Sequence, residues 1–371
     1  MNSLSGPGAT AATFIFAMLT NALTASPDSR WKHLPSIPDP VGFAGMGAGV
    51  VDGRLVAFGG SHFAEKPLWL AGVKSFSDRI YTLAKDGRTW AEEAVRYPAK
   101  RGGFASTAAR DRVYSAGGID AEGCSREVYV IAGSGGKLTL TRLSDLPAGN
   151  GYGSAAVVRN RLYVVGGVAT PTSTVASRET WSLDLETPPM SAAWRREPDL
   201  PGLGTFVAAA SVADDALYLF GGIGYDADRK AVPSRQAFRL EYGATAWEPL
   251  PDLPEARVGA STPPTPMRDR SFFLIGGYAA IFPGKPREHP GFSVGTLVFD
   301  AKTRIWTAGP ELPMPTSVDL DASGLPGPAP MIGAPCVLWN GLCVVVSGEV
   351  RPSVRTPAVV AWAVSEPFLP R

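Results

Sequence analysis

The chain has 371 residues, with 35 Lys plus Arg against 34 Asp plus Glu, a net charge of +1 and an apolar content of 45%. With no Lys/Arg run longer than two, that balance excludes the electrostatic footprint of a nucleic-acid binder, and the apolar content excludes a disordered chain. Gly (42) and Pro (34) make up about a fifth of the residues, near twice average usage, which points to many short strands joined by tight turns.

The N-terminus, MNSLSGPGATAATFIFAMLTNALTASPDSRW, holds an apolar stretch from Ala11 to Leu23 and a small-residue exit at Leu23-Thr24-Ala25, with no Lys or Arg ahead of it. Residues 1–25 read as a secretory signal peptide cleaved near Ala25, or as a disordered leader, ahead of one domain over 26–371. A periplasmic or secreted location is expected if the leader is cleaved, a cytoplasmic one if it is kept. No later segment has 18 uninterrupted apolar residues, so no membrane span is predicted in the mature chain.

Beyond the leader one pattern recurs: a polar turn, four to six β-forming residues, then Gly-Gly. It appears as VDGRLVAFGG ending at Gly60, RDRVYSAGG at Gly118, RNRLYVVGG at Gly167, DDALYLFGG at Gly222 and RDRSFFLIGG at Gly277. A sixth copy, WNGLCVVVSGE, puts Ser-Gly in that place and ends its pair at Gly348. Spacings of 49 to 71 residues are those of a propeller or an array. Between copies stands a Trp followed by Leu-Pro or its equivalent, at Trp31, Trp90, Trp194, Trp247 and Trp306, with TRLSDLP replacing it in the third copy. Each unit therefore holds about four strands, and each diglycine marks a strand end where no side chain fits.

These features resemble the Kelch repeat, over about residues 31 to 364. The resemblance implies an all-β fold, a six-bladed Kelch-type β-propeller. The last unit supplies strands near Gly333–Leu338, Leu342–Ser347 and Pro357–Val364, while RWKHLP at the start is an orphan strand. Pairing of these N- and C-terminal strands would close the ring and cover an open sheet edge.

Cys124, Cys336 and Cys343 are too few for a disulfide framework. A two-residue turn at Asn340-Gly341 pairs Cys343 with Leu338 and leaves Cys336 out of register for a bridge. Three histidines without ligand spacing, His62 and His289 among them in loops, predict no metal site and no cofactor.

The residues just after each diglycine are mostly neutral, as in Ser61-His62, Ile119-Asp120, Val168-Ala169, Ile223-Gly224 and Tyr278-Ala279. The sixth copy differs, with Glu349 and then Arg351 and Arg355. The segment SGEVRPSVRT, Ser347 to Thr356, resembles the N-G-E-x-K-P-x-x-R-T segment of the sialic acid mutarotases, or N-acetylneuraminate epimerases. Glu349, Pro352, Arg355 and Thr356 match, while Arg351 stands for a Lys and Ser347 for an Asn. In that family further elements come after the segment; here WKHLP, VGFAGMGAGV, Gly59-Gly60 and SFSDRIYTL sit at the N-terminus instead, as in a cyclically permuted member. A closed ring tolerates such a cut.

The resemblance implies interconversion of the α and β anomers of a small sugar acid, with Glu349 as general base and Arg355 as its partner. Anomer exchange needs a group that removes the anomeric hydroxyl proton, which a carboxylate does. A planar guanidinium suits the substrate's carboxylate, so Arg355, or alternatively Arg351, is the expected clamp. Arg101 in KRGGFAS and Arg257 in EARVGAS precede the first strands of their repeats and are expected either as substrate contacts or as rim salt bridges. Lys74 and Asp78 flank a strand start, where a cap or an inter-blade hydrogen bond is expected. The proline-rich FPGKPREHPGF, Phe282 to Phe292, reads as a lid or a solvated loop.

Two other classes compete. A non-catalytic propeller that binds proteins or carbohydrate expects exposed aromatic anchors at the mouth opposite Glu349. A sialidase would carry several S-x-D-x-G-x-T-W boxes, of which only KDGRTW at Lys85 is reminiscent, and a copper oxidase of the galactose oxidase type would need Tyr/His ligands that these few histidines do not supply.

Overall fold

A computed structural model describes residues 31–363 apart from 64, 263–264, 267–269, 290 and 313–331. The expected leader over 1–25 therefore lies outside the described residues. Among the described residues the strands form six four-stranded antiparallel sheets and two short two-stranded ribbons. Blade 1 runs Gly47–Val51, Arg54–Phe58, Ile80–Leu83 and Trp90–Glu92, from inside outward, and blades 2 to 5 repeat this meander. The first strands of successive blades stand side by side all the way round, that of blade 6 meeting that of blade 1. The molecule is a six-bladed β-propeller.

Blade 6 is assembled from both ends of the chain: Cys336–Trp339, Leu342–Arg351 and Val354–Ala363, with Trp31–Leu34 as its outermost strand. The orphan strand pairs as expected, Trp31 opposite Trp362 and Leu34 opposite Val359. The turn at Asn340-Gly341 also sets the expected register, Leu338 opposite Cys343, and the Cys336 and Cys343 sulfurs touch diagonally at 3.1 Å.

Side chains explain why the second strands read as unbroken apolar runs. A blade has neighbours on both faces, so alternate residues enter different cores. Val344 and Val346 pack with Leu55 and Tyr81 of blade 1, while Cys343 and Val345 pack with Phe273 and Val298 of blade 5. The recurrent Trp has an equally specific task. Its indole N–H donates to a carbonyl on the preceding blade: Trp90 to Pro35, Trp194 to Ser144, Trp247 to Pro198 and Trp306 to Pro251, at 2.7 to 3.0 Å. Trp and the Leu-Pro stretch recur together because one holds the other.

Diglycines join blades at the inner end. The second glycine's N–H donates to a carbonyl leading into the next blade: Gly60 to Arg101, Gly118 to Asn150, Gly167 to Thr205 and Gly222 to Arg257, at 2.7 to 2.8 Å. A Cβ on the first glycine would collide with that same carbonyl, at 2.2 Å from Thr205 O in the case of Gly166.

Candidate functional site

One end of the axis is floored by a closed belt of six backbone hydrogen bonds. Gly45 donates to Gly333, Gly333 to Gly259, Gly259 to Val207, Val207 to Tyr152, Tyr152 to Gly103 and Gly103 back to Gly45, at 2.6 to 3.1 Å. All six residues have positive φ, 47° to 70°. Glycine adopts that conformation freely; Tyr152 (φ 57°) and Val207 (φ 47°) do so at a cost. Next to the belt is a cavity of about 280 Å³, lined by residues of all six blades, including Ser61, Lys74, Tyr152, Phe206, Tyr278, Glu349 and Arg355.

The residue after each diglycine holds an equivalent place at this mouth. Ser61, Ile119, Val168, Ile223, Tyr278 and Glu349 each make an isolated β-bridge to the residue that precedes or begins the belt turn of their own blade, from Ala44↔Ser61 to Ile332↔Glu349. Five of these are neutral and one is a carboxylic acid.

Glu349 is not in a loop beyond the strand end, as the drop in hydrophobicity at Gly348 suggests. The blade 6 hairpin continues through it, with register shifts between Val346 and Gly348 and between Glu349 and Arg351, and turns at Pro352-Ser353. The bulges absorb Ser347 and re-aim the side chains. Ser353, with φ 68°, fills the left-handed corner after Pro352, the arrangement a type II turn requires.

Extension of the hairpin makes Glu349 and Arg355 direct cross-strand partners. Arg355 Nη1 lies 2.8 Å from Glu349 Oε2, its Nε donates to Ser61 O at 3.1 Å, and its guanidinium carbon sits 5.3 Å from the centre of the Phe63 ring. Glu349 Oε1 accepts the Ser353 N–H at 2.6 Å. Both carboxylate oxygens are thus held, each with a lone pair to spare. The side chains are 17% (Glu349) and 5% (Arg355) exposed, recessed yet open to the cavity.

Tyr278, from the neighbouring blade, has its phenol pushed up to about 12 by burial and then by the negative charge of Glu349. His62, tilted against the Phe43 ring with centroids 4.7 Å apart, has its pKa lowered chiefly by burial; Asp39 opposes this, and Arg355 and Arg79 add to it.

The other expected site residues fall elsewhere. Arg101 and Arg257 do not line the cavity. Both occupy the position whose carbonyl receives the preceding diglycine, and their side chains turn to their own blade. Arg101 pairs with Asp120 and Glu127, each at 2.9 Å, while Arg257 pairs with Glu255 at 2.6 Å and donates to Gly276 O at 3.3 Å. Asn150 and Thr205 do the same with hydrogen bonds to Gly166 O and Gly221 O. Burial lowers the pKa of Arg257, with Glu255 opposing. Of the two expectations for these arginines, the ion-paired structural one describes their placement.

Arg351 also lies outside the cavity lining and donates to His289 O at 2.8 Å. That bond ties the hairpin to the loop over Phe282 to Phe292. Pro283 to Pro286 and Glu288 of that loop are exposed, while Phe282, His289 and Phe292 pack onto Tyr278, with ring centroids 4.9 to 6.1 Å apart. Its 3-10 turn Pro286–Glu288 meets that of blade 1, Leu68–Leu70. Asp78 acts through its backbone, accepting the Tyr97 N–H. Lys74, an exposed residue that lines the cavity, makes the expected inter-blade hydrogen bond, to the Tyr152 hydroxyl at 3.2 Å. Among the described residues no group of three or more His, Cys, Asp or Glu could hold a metal ion.

Fold and site together define a class: a closed six-bladed propeller with one carboxylic acid and one guanidinium paired at an axial cavity. Known proteins narrow it. No family model matches the chain. It resembles the N-acetylneuraminate epimerase of Yersinia enterocolitica serotype O:8 / biotype 1B, 24% identical over 247 residues, 59% of this chain and 56% of the relative. That of Haemophilus influenzae strain PittEE is 25% identical over 238 residues, 57% and 56% of the two chains. The chain spans about half the length of the curated relatives it matches. A solved structure titled "Structure of YjhT" aligns with a TM-score of 0.58 over 72% of this chain and 84% of its own, at 15% identity, a likeness of fold.

Proposed function

We propose that this propeller is a mutarotase that interconverts the α and β anomers of N-acetylneuraminate or a closely related sugar acid. The observation that carries the reading is the cross-strand Glu349–Arg355 pair, the one charged pair among six equivalent positions at the axial mouth. The distant likeness to N-acetylneuraminate epimerases supports it. Partial coverage fits a chain break moved around the ring, since a sequential comparison tracks only one side of such a break.

In this scheme Glu349 takes the anomeric hydroxyl proton as the bond between the anomeric carbon and the ring oxygen breaks. The ring oxygen, leaving as an alkoxide, takes a proton from the Tyr278 phenol, which is a weaker base than the alkoxide once ionised. The C1–C2 unit turns in the open ketone. Reclosure runs the same transfers backward, with the ring hydroxyl returning its proton to Tyr278 and Glu349 protonating the new anomeric oxygen, so no proton is gained or lost. Arg355 and the Ser353 N–H keep the carboxylate aimed.

The rival reading, a binding module with exposed aromatic anchors, finds little support. Among the described residues Tyr242 is the exposed aromatic, and the Arg159 guanidinium covers it at 4.5 Å.

Monitoring freshly dissolved N-acetylneuraminate by proton NMR tests the proposal. Wild type should speed exchange well above buffer, and Glu349→Gln, close in size and shape, should lose about 10²- to 10⁴-fold of the catalysed rate. Equal rates for wild type, variant and buffer would remove the enzyme reading.

A further inference from the structure

Arg355 is the expected clamp for the substrate's carboxylate, yet its Nη1 already faces Glu349, its Nε donates to Ser61 O, and its guanidinium lies against the Phe63 ring. A carboxylate drawn to the same guanidinium would share it with Glu349 and sit beside that negative charge. Among the described residues Lys74 is a cation lining the same cavity that makes no ion pair. Its ammonium is nonetheless held in place. It donates to the Tyr152 hydroxyl at 3.2 Å and sits 5.3 Å and 5.9 Å from the ring centres of Phe76 and Tyr152. Lys74 belongs to blade 1 and Tyr152 to the turn into blade 3, so the side chain reaches over the entry to blade 2.

Tyr152 supplies an independent observation. Four of the six belt positions are glycine, as a left-handed ring requires, while Tyr152 keeps a large side chain at φ 57°. Its ring lies over Gly103, where a Cβ would meet it at 2.7 Å. Two belt positions keep such strain, Val207 and Tyr152, and of the two only Tyr152 carries a polar group, a hydroxyl beside an ammonium.

Resting on the mutarotase reading, we propose that Lys74 and Tyr152 form the subsite for the sugar acid's carboxylate, leaving Arg355 to position Glu349. Lys74 is then a specificity-determining residue: it selects acids over neutral sugars and takes no part in proton transfer. An ammonium with three donors holds one carboxylate oxygen while the phenol donates to the same group.

The test compares N-acetylneuraminate with its methyl ester, which keeps the anomeric centre and lacks the charge. Lys74→Met, which keeps the apolar stem, should raise KM for the acid roughly 10- to 100-fold. For the ester the change should stay below about threefold, and Lys74→Arg should restore most of the acid's affinity. Equal losses on acid and ester, or no loss on the acid, would overturn the assignment. If wild type shows no exchange activity, the mutarotase reading fails, and calorimetric binding of the same two compounds still decides the subsite. Acid binding that disappears in Lys74→Met supports it; acid binding that is absent in wild type or unchanged in the variant refutes it.

Discussion

Ser347 occupies a conformation, φ 50°, that five other blades fill with the first glycine of a diglycine, at φ 63° to 68°. It is fully buried and outside the cavity lining. Its hydroxyl accepts the Phe43 N–H at 2.8 Å and lies 2.9 Å and 2.7 Å from the carbonyls of Phe43 and Thr356, to one of which it donates. The departure from Asn seen in SGEVRPSVRT therefore falls at the joint between blades 6 and 1, outside the cavity lining. Ser347→Ala strands the Phe43 N–H in a dry joint. Urea denaturation should show a loss of about 1–3 kcal/mol, with the anomer-exchange rate within about twofold of wild type. An unchanged midpoint would mean that these buried bonds contribute nothing.

At the scale of the element, the diglycine is an inter-blade clasp, and its two residues have different tasks. One donates its N–H across the joint; the other must lack a Cβ so that the accepting carbonyl can approach. Gly166→Ala would put a methyl 2.2 Å from Thr205 O and force a left-handed alanine at φ 67°. Backbone cannot retreat as a flexible side chain can, so the joint between blades 3 and 4 must open. A stability loss above about 3 kcal/mol is expected, in the range of severe core lesions. Gly243→Ala, also left-handed but with nothing within 4 Å of its Cβ, isolates the strain component and should cost less. Comparable losses in the two variants would show that strain, not the close approach, is what the glycine relieves.

The same clasp shows what was legible in the sequence. Diglycine is written five times with Ser-Gly in the sixth copy, and Trp with Leu-Pro or its equivalent five times, so blade number, the closing strand and the Leu338–Cys343 register could be read directly. Glu349 and Arg355 were legible because one copy of the repeat broke a neutral pattern. Arg101 and Arg257 were left open between two roles because they look singular until Asn150 and Thr205, with unrelated side chains, prove to hold the same backbone place. The hairpin extension was hidden by Gly348 and Pro352, which read as strand breakers while bulges and a type II turn accommodate both. Lys74 and Tyr152 lie 78 residues apart in chain order, and NGYGS looks like any glycine-rich turn. Only the belt reveals that this tyrosine is strained.

For the molecule as a whole, closure is the main structural question, because each blade has a core only with its neighbours and a ring has no hub. Blade 6 carries the candidate site, and its outermost strand comes from the far end of the chain. Trp31 is 8% exposed, faces Trp362 at 6.5 Å and belongs to the core between blades 5 and 6. Its strand pairs with Val354–Ala363, the strand that also carries Arg355. Truncation of a buried Trp costs about 3–5 kcal/mol, and Trp31→Ala should lose that much without changing KM, since the outer strand lies far from the cavity. Removal of residues 31–34 along with those before them is a different lesion. It leaves the Val354–Ala363 edge with unpaired N–H and C=O groups, a template for pairing with another chain. Such a protein should form concentration-dependent oligomers in size-exclusion chromatography and lose the proposed exchange activity as it does so. A monomeric, fully active truncated protein would show that three strands suffice for blade 6 and that the ring is held by its inner joints alone.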